Sequence, residues 1–420
     1  MNININTPMF NYGLRRYELY SFSFVWVFTL SLLILASPFC LYNLFLACVY
    51  QDKPLQRRTF TDAFGRRFTY PVFCFGVFRH ALVMLNILRG QIVWVGIPSL
   101  SKDELTHLQG QAQFIDLKYK YADVKPGLMS LYRLQKKTGI SAEKMTDLLA
   151  QQLGFNGIEK LALILKFSLA NALYENDQLD SPQGFDLFGI HINNLTMTMA
   201  VKRLLESKPS AETNVTFFAN VNSFNLAHKN TQLKSVLNQA DQVYADGSGV
   251  RLAAKKLGYR LKDNVNGTDL LPVLCEQLIA TGKSVFLLGA SEGVAQTTAN
   301  KLKETYVGLT VSGTHHGFFD RNDSDSVIAL INESKADVLL VALGSPHQEL
   351  WLHHHKHKLG VNSAAAVGGL FDFYSGRIPR APLWLREIGM EWVWRLIQEP
   401  KSKFNRYVIG NPIFMMRTFF

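Results

Sequence analysis

The sequence predicts an α/β protein, with a Rossmann-like parallel sheet in its C-terminal half, preceded by a membrane-associated, mostly helical region with a re-entrant hydrophobic helix. Three observations carry this expectation. From Phe185 onward, short β-rich runs alternate with helical segments, a pattern that builds a parallel sheet covered on both faces. Residues 21 to 50 contain no charged side chain, and a bilayer is crossed by about 20 apolar residues. The 420 residues exceed one ordinary core and suit two domains.

The apolar run is too long for a secretory signal, and no clean small-residue cleavage site follows it. Ser37-Pro38 sits in its middle, where proline removes a backbone donor. Arg15 and Arg16 precede it, and Lys53, Arg57 and Arg58 follow. Basic flanks favour the cytoplasmic side. A helix broken at Ser37-Pro38 that dips in and returns keeps both flanks there; a plain spanning helix, the alternative, keeps only one. Residues 51 to 150 mix short apolar runs with basic loops, so residues 1 to 150 read as a membrane-anchoring region. Residues 151 to 184 look helical, then turn polar in NALYENDQLDSPQG, and read as a linker before a domain over 185 to 420.

Composition narrows the partners. Aliphatic and aromatic residues make up 48%, which argues against disorder. The net charge of +11, from 44 basic and 33 acidic residues, suits nucleic acid, anionic lipid or phosphorylated substrates. Cys40, Cys48, Cys74 and Cys275 lack metal or redox spacing and read as reduced thiols facing the cytosol.

In the second half the strands are expected at VTFFANV, DQVY, SVFLLG, LTVSGT, ADVLLVALG and NSAAAVGG. Helices are expected at NLAHKNTQLKSVLNQA, Glu292 to Tyr306 and from His347. Ligands of such sheets bind outside the carboxyl ends of the strands. The loops there are polar and glycine-rich: Asn220-Val221-Asn222, Ala245-Asp246-Gly247, Gly289-Ala290-Ser291-Glu292-Gly293, Gly344-Ser345-Pro346-His347-Gln348 and Gly368-Gly369-Leu370-Phe371-Asp372. Glycine lets a backbone approach a ligand, and helix N-termini offer N–H groups to phosphate. Each loop alone is an ordinary strand–helix turn. Together they suggest one nucleotide-diphosphate pocket, although neither a P-loop nor a dinucleotide fingerprint is present.

Asp246 follows an apolar strand and precedes glycine, so it is the candidate catalytic carboxylate; the alternative is a helix cap. Asp323-Ser324-Asp325 has the DxD form of metal-dependent transferases but reads as a charged helix start. His353, His354, His355 and His357 read as a solvated helix face, so no metal is assigned. The end of the chain sets Trp384, Trp392 and Trp394 among Arg377, Arg380, Arg386, Arg395 and Arg406. That pattern suits a membrane interface, arginines gripping a lipid pyrophosphate, or an amphipathic packing helix.

At these residues the sequence resembles the WecB/TagA/CpsF glycosyltransferases over residues 185 to 420. The matching segments are ADGSGV (245 to 250), NGTDLL (266 to 271), VFLLGASEGVA (285 to 295), GTHHGFF (313 to 319), ADVLLVALGSPHQELW (336 to 351), VGGLFDFYSGRIPRAP (367 to 382) and GMEWVWRLIQEP (389 to 400). The resemblance implies inverting, metal-independent transfer of an N-acetylmannosamine-type sugar from UDP to a polyprenyl-diphosphate-linked sugar. It implies Asp246 as base, Gln348 and Asp372 near the nucleotide, and an arginine-rich tail that closes over the site at the membrane. Candidate substrate-binding residues are Asn220, Asn222, Asn266, Thr268, Asp269, Arg377, Arg380, Arg386 and Arg395. Candidate nucleotide-binding residues are Gly289, Gly293, Phe318, Gly344, Gln348, Gly369 and Asp372. Two departures stand out: the family usually has threonine at the place of Asn220, and often arginine at the place of Asn264.

More weakly, the N-terminal region resembles bacterial enzymes that load sugar phosphate onto a polyprenyl carrier, through NILRGQIVWVG (86 to 96) and VKPGLMSLYRLQ (124 to 135). Those enzymes need an Asp-Glu pair before the NILRG element. Here FRHALVML carries no acid, and Asp103-Glu104 comes too late, so this region reads as a degenerate anchor. The expected partners are a UDP-sugar, a polyprenyl-diphosphate-linked glycan and membrane lipid, with no nucleic acid, no cofactor, and a homo-oligomer left open. The expected place is the cytoplasmic face of a bacterial inner membrane, in cell-surface or exopolysaccharide synthesis. The rival readings are a bifunctional enzyme with residual sugar-phosphate transfer and a catalytically silent scaffold.

Overall fold

The computed structural model describes residues 9–50, 53–74, 80–100, 102–109, 112–138, 145–174, 180–206, 212–320 and 324–419. The chain forms two compact units, one of residues 1–133 and 144–167, the other of residues 134–143 and 168–420.

In the first unit a single helix runs over Met9–Val49 and contains Pro38. The expected break at Ser37-Pro38 is therefore absent. The reason is local. Proline at 38 deprives the Ile34 carbonyl of its helical partner, and the Ser37 hydroxyl donates to that carbonyl at 2.7 Å. Its Val25–Val49 stretch is long and apolar enough to cross a membrane. Two indoles fasten this helix to the rest of the unit: Trp26 Nε1 donates to the Leu88 carbonyl at 3.1 Å, and Trp94 Nε1 to Thr29 Oγ1 at 2.8 Å. Strands β1 (Leu55–Thr61) and β2 (Arg67–Phe73) form an antiparallel hairpin. Strands β3 (Val93–Val95) and β4 (Gly127–Met129) pair in parallel, which joins the NILRGQIVWVG and VKPGLMS segments. A Cβ on Gly127 would overlap the Gly96 nitrogen, so this crossing requires glycine.

The second unit opens with a hairpin of β5 (Gly184–Leu187) and β6 (Ile190–Asn193). Its centre is a six-stranded sheet: β7 (Asn214–Ala219), β8 (Gln242–Ala245), β9 (Ser284–Gly289), β10 (Thr310–His315), β11 (Val338–Ala342) and β12 (Ser363–Ala366). The spatial order is β10-β9-β11-β12-β7-β8, and every adjacent pair is parallel. All residues of β7, β11 and β12 are buried, as a sheet covered on both faces requires. Their alternation divides two cores. Val215, Phe217, Leu339 and Val341 enter one, and Phe218, Val338, Leu340 and Ala365 the other. The expected helix over NLAHKNTQLKSVLNQA is two helices, Val221–Lys229 and Thr231–Asn238, because Asn230 is extended and caps the second.

After β12 the tail forms short helices over Leu370–Tyr374, Leu383–Glu387, Glu391–Gln398 and Pro400–Phe404, a π-helical turn at Asn405–Ile409, and a last helix Gly410–Phe419. Phe414 is fully buried, with its ring 5.4 Å from Phe188 and 5.8 Å from Phe224. Asn225 Nδ2 donates to the Gly410 carbonyl at 2.8 Å. The tail is thus docked on the body of its unit.

Candidate active site

A cleft of about 450 Å³ lies at the carboxyl ends of β7, β8 and β12 and reaches Ser345 and Gln348 beyond β11. This is the sheet edge where parallel α/β folds hold ligands.

Asp246 follows β8 directly and lines the cleft. Its backbone N–H donates to the Ala219 carbonyl at 3.0 Å, tying the ends of β7 and β8 together. The next residue, Gly247, turns at φ 91, and its N–H donates to Asn264 Oδ1 at 2.7 Å. Asp246 is therefore not itself a helix cap; Gly247 occupies that position before helix Ser248–Lys256. Asn220 acts in two directions. Its Oδ1 accepts from the N–H groups of Asn222 and Ser223, capping helix Val221–Lys229, and its Nδ2 donates to Asp246 Oδ2 at 3.4 Å. Desolvation raises the Asp246 carboxyl above the ordinary range; the Asn220 bond and the charge of Arg406 oppose this, and Asp269 adds to it.

A second cluster forms one wall. Asn266 caps helix Gly267–Thr281 by accepting from the Asp269 N–H at 2.8 Å, and its Nδ2 donates to Asp269 Oδ2 at 2.8 Å. Asp269 is buried and pairs with Arg380, which also faces Glu391 at 3.6 Å. The Thr268 carbonyl accepts from Tyr374 OH at 2.8 Å. Gln348, buried at the opposite side, accepts from the Gly368 N–H at 3.0 Å and donates to Glu349 Oε1 at 2.9 Å. That fixes its amide and holds the glycine turn after β12. Glu349 also accepts from Ser345 Oγ at 2.7 Å, and burial raises its carboxyl pKa.

The tail supplies guanidinium groups. Arg386, Arg395 and Arg406 line the cleft. Arg395 lies 4.7 Å over the Phe373 ring and pairs with Glu399 at 3.3 Å. Arg406 and Tyr407 come from the π-helical turn, and Trp392 packs on Tyr407 at 5.9 Å. Trp384 is the most exposed of the three tail tryptophans expected at an interface. Trp394 instead donates to the Pro379 carbonyl at 3.2 Å.

Of the residues expected from sequence, the cleft gathers Asp246, Asn220, Asn222, Asn266, Thr268, Asp269, Arg380, Arg386, Arg395, Gln348 and Gly369. Gly289, Gly293, Phe318, Gly344, Asp372 and Arg377 are not among its lining residues. Gly289 serves strand packing instead, since a Cβ there would overlap the Ala342 oxygen. Gly293 and Gly344 make turns at φ 77 and φ 76. Phe318 is exposed, and Asp372 turns to Arg377, which also donates to Ser291 Oγ at 2.9 Å. Asp323 lies outside the described residues. Ser324 precedes helix Asp325–Glu333 without a side-chain cap bond, and Asp325 pairs with Lys358 at 2.7 Å. The histidine run is only partly solvated, because His355 is buried against Trp351 at 5.0 Å. Among the described residues no group of three or more His, Cys, Asp or Glu is placed to hold a metal ion. The sequence reading did not identify Glu391, Tyr407, Thr138 and Leu173, which also line the cleft. Glu391 lies inside the GMEWVWRL segment and could have been picked out there. Thr138 and Leu173 carry no sequence cue.

The model of the glycosyl transferase WecG/TagA/CpsF family matches residues 185–420. An N-acetylglucosaminyldiphosphoundecaprenol N-acetyl-beta-D-mannosaminyltransferase of Bacillus spizizenii (strain ATCC 23059 / NRRL B-14472 / W23) is 33% identical over 174 residues, 41% of this chain and 67% of that protein. A protein of the same description from Staphylococcus aureus (strain MW2) is 29% identical over 234 residues, 55% of this chain and 91% of that protein.

Proposed function

This chain belongs to the WecG/TagA/CpsF family and is a glycosyltransferase, and we propose that it moves an N-acetylmannosamine-type sugar from UDP to a polyprenyl-diphosphate-linked N-acetylglucosamine. The observation that carries the reading is the setting of Asp246: a desolvated carboxylate at the end of β8, in one cleft with Arg380, Arg386, Arg395 and Arg406.

The chemistry follows from that setting. An acceptor hydroxyl becomes a nucleophile when a base takes its proton as the new bond forms. A carboxylate with a raised pKa holds that proton more readily than an exposed one. One carboxylate suffices when the leaving group is a nucleoside diphosphate, which departs as an anion without protonation. A single displacement of this kind inverts the anomeric centre. Guanidinium groups bind diphosphates bidentately and stabilise the charge that develops on departure. Arg386, Arg395 and Arg406 are therefore assigned to diphosphate, and the Asn266–Asp269–Arg380 wall to sugar hydroxyls.

The apolar Val25–Val49 stretch supports an anchoring role for the first unit. We infer that the reaction takes place at the cytoplasmic face of the membrane, in synthesis of a surface polysaccharide, a reading supported by the basic tail and by the lipid of the proposed acceptor. The test is a screen of UDP-sugars for UDP release by the full chain, with and without polyprenyl-diphosphate N-acetylglucosamine. Acceptor-dependent release with UDP-N-acetylmannosamine supports the assignment. Release with another donor alone reassigns the sugar, and no release with any donor rejects the reaction.

A further inference from the structure

The family-matched region begins at residue 185, yet two residues before it face the active-site cleft. Thr138 and Leu173 line it, and both belong to the same compact unit as the sheet. They are fastened there. Lys137 Nζ donates to Asn171 Oδ1 at 2.6 Å, joining the two segments, and Lys255 Nζ donates to the Leu173 carbonyl at 3.3 Å, tying the second to helix Ser248–Lys256.

The chemistry of this part of the cleft differs from the rest. Around Gln348, Asn266 and Asp269 the lining is amide, carboxylate and backbone N–H. Leu173, Leu252, Val221 and Met415 offer hydrocarbon. Helix Ser248–Lys256 packs against the last tail helix, which brings Leu252 and Met415 to the same side. Along the tail Tyr407, Asn411 and Met415 recur every fourth residue, and all three line the cleft. This stripe leads from the Arg406 guanidinium to an apolar surface. The same tail also exposes Ile409, Ile413 and Met416. A sugar diphosphate whose far oxygen carries an isoprenoid matches that pairing of guanidinium and hydrocarbon in one cleft.

We propose that Leu173 and Thr138, together with Leu252 and Met415, bind the first isoprene units of the acceptor's lipid beside its diphosphate. A segment outside the family-matched region thereby takes part in acceptor recognition. The proposal rests on the reading of the acceptor as a polyprenyl diphosphate, and names which part of it this wall contacts. Each buried methylene of a ligand contributes about 0.8 kcal/mol, so contact with two or three corresponds to roughly a 10- to 50-fold gain in affinity.

The experiment is calorimetric titration of the full chain with geranyl diphosphate and with methyl diphosphate, for wild type, Leu173→Asn and Leu252→Asn. The expected result is a wild-type preference for geranyl diphosphate of about tenfold or more. Leu173→Asn should lose most of that preference while UDP binding stays unchanged. Leu252→Asn reads the same wall from the other side and covers a failure of the first variant to fold. Equal wild-type affinity for the two probes overturns the proposal, as does a preference that survives both substitutions. A chain that keeps the prenyl preference but transfers no sugar supports the wall and rejects the transferase chemistry. One that transfers sugar and binds both probes equally rejects the wall alone.

Discussion

The Asn220 amide donates to the Asp246 carboxylate at 3.4 Å, across the neighbouring ends of β7 and β8. One side chain thus caps a helix and touches the carboxylate proposed as base. Asp246→Asn keeps the shape and removes the proton acceptor. Transfer should fall by about 10²- to 10⁴-fold, with UDP binding near normal. The same variant should be more stable than wild type at neutral pH. Burial raises the folded-state pKa above the unfolded one, so the cost to stability is absent below the unfolded pKa of about 3.9, grows as pH rises from there, and is complete once pH exceeds the raised value. Thermal unfolding against pH should show the gap between the two proteins closing as pH falls. A wild-type transfer rate in Asp246→Asn would sink the assignment.

Asn220→Ala removes the cap and the hydrogen bond together. Lost capping should lower stability by about 1 kcal/mol in urea titration. The bond also favours ionised Asp246, so losing it should raise that pKa further and move the acid limb of kcat/KM to higher pH. An unmoved acid limb would reduce Asn220 to a helix cap.

Asp269 is buried between Asn266 and Arg380. Asp269→Asn leaves the guanidinium with Glu391 as its carboxylate partner and should destabilise the chain by about 3 kcal/mol. Chemical denaturation measures this. A loss below that of an exposed pair, about 1 kcal/mol, would show that Glu391 compensates fully.

Phe414 is the plug that docks the tail. Phe414→Ala should weaken docking by about 3–5 kcal/mol. Limited proteolysis should then cut first within residues 383 to 419, and transfer should fall more than UDP binding. Unchanged proteolysis would mean that the tail is held by its arginines instead.

Transfer should continue in EDTA. Asp325 is engaged with Lys358 and does not line the cleft, and Asp269 is engaged with Arg380. Activity lost in chelator and restored by magnesium or manganese would require a metal at the diphosphate.

The sheet was legible because its strands are buried on both faces. VLLVA reads as an unbroken apolar run and VTFFA as one broken only by a threonine, and the polar residue that follows such a run sits at the strand's carboxyl end. Asp246 was found in this way. Glycine is an ambiguous guide, since turn geometry and close strand packing select it as readily as a ligand does, as the packing of Gly289 on Ala342 and the turn at Gly344 illustrate. Ser37-Pro38 misled for a related reason. Proline marks a lost hydrogen bond, but the neighbouring hydroxyl that replaces it is visible only in three dimensions. Thr138 and Leu173 were beyond reach, because their nearness to Asp246 depends on how distant segments pack.

The cleft takes one wall from Thr138 and another from Met415, so it closes only after all six strands of the sheet have been synthesised. Synthesis proceeds from the amino end at about 5–20 residues per second, and domains fold as they emerge. The six strands are all available once residue 366 has appeared, before the tail that completes the enclosure. A nascent chain can therefore fold its sheet while still lacking the arginines and the apolar stripe that would engage an acceptor. On the proposed reading, transfer waits until the tail has been made, and a chain truncated within the tail would keep a folded sheet without those arginines.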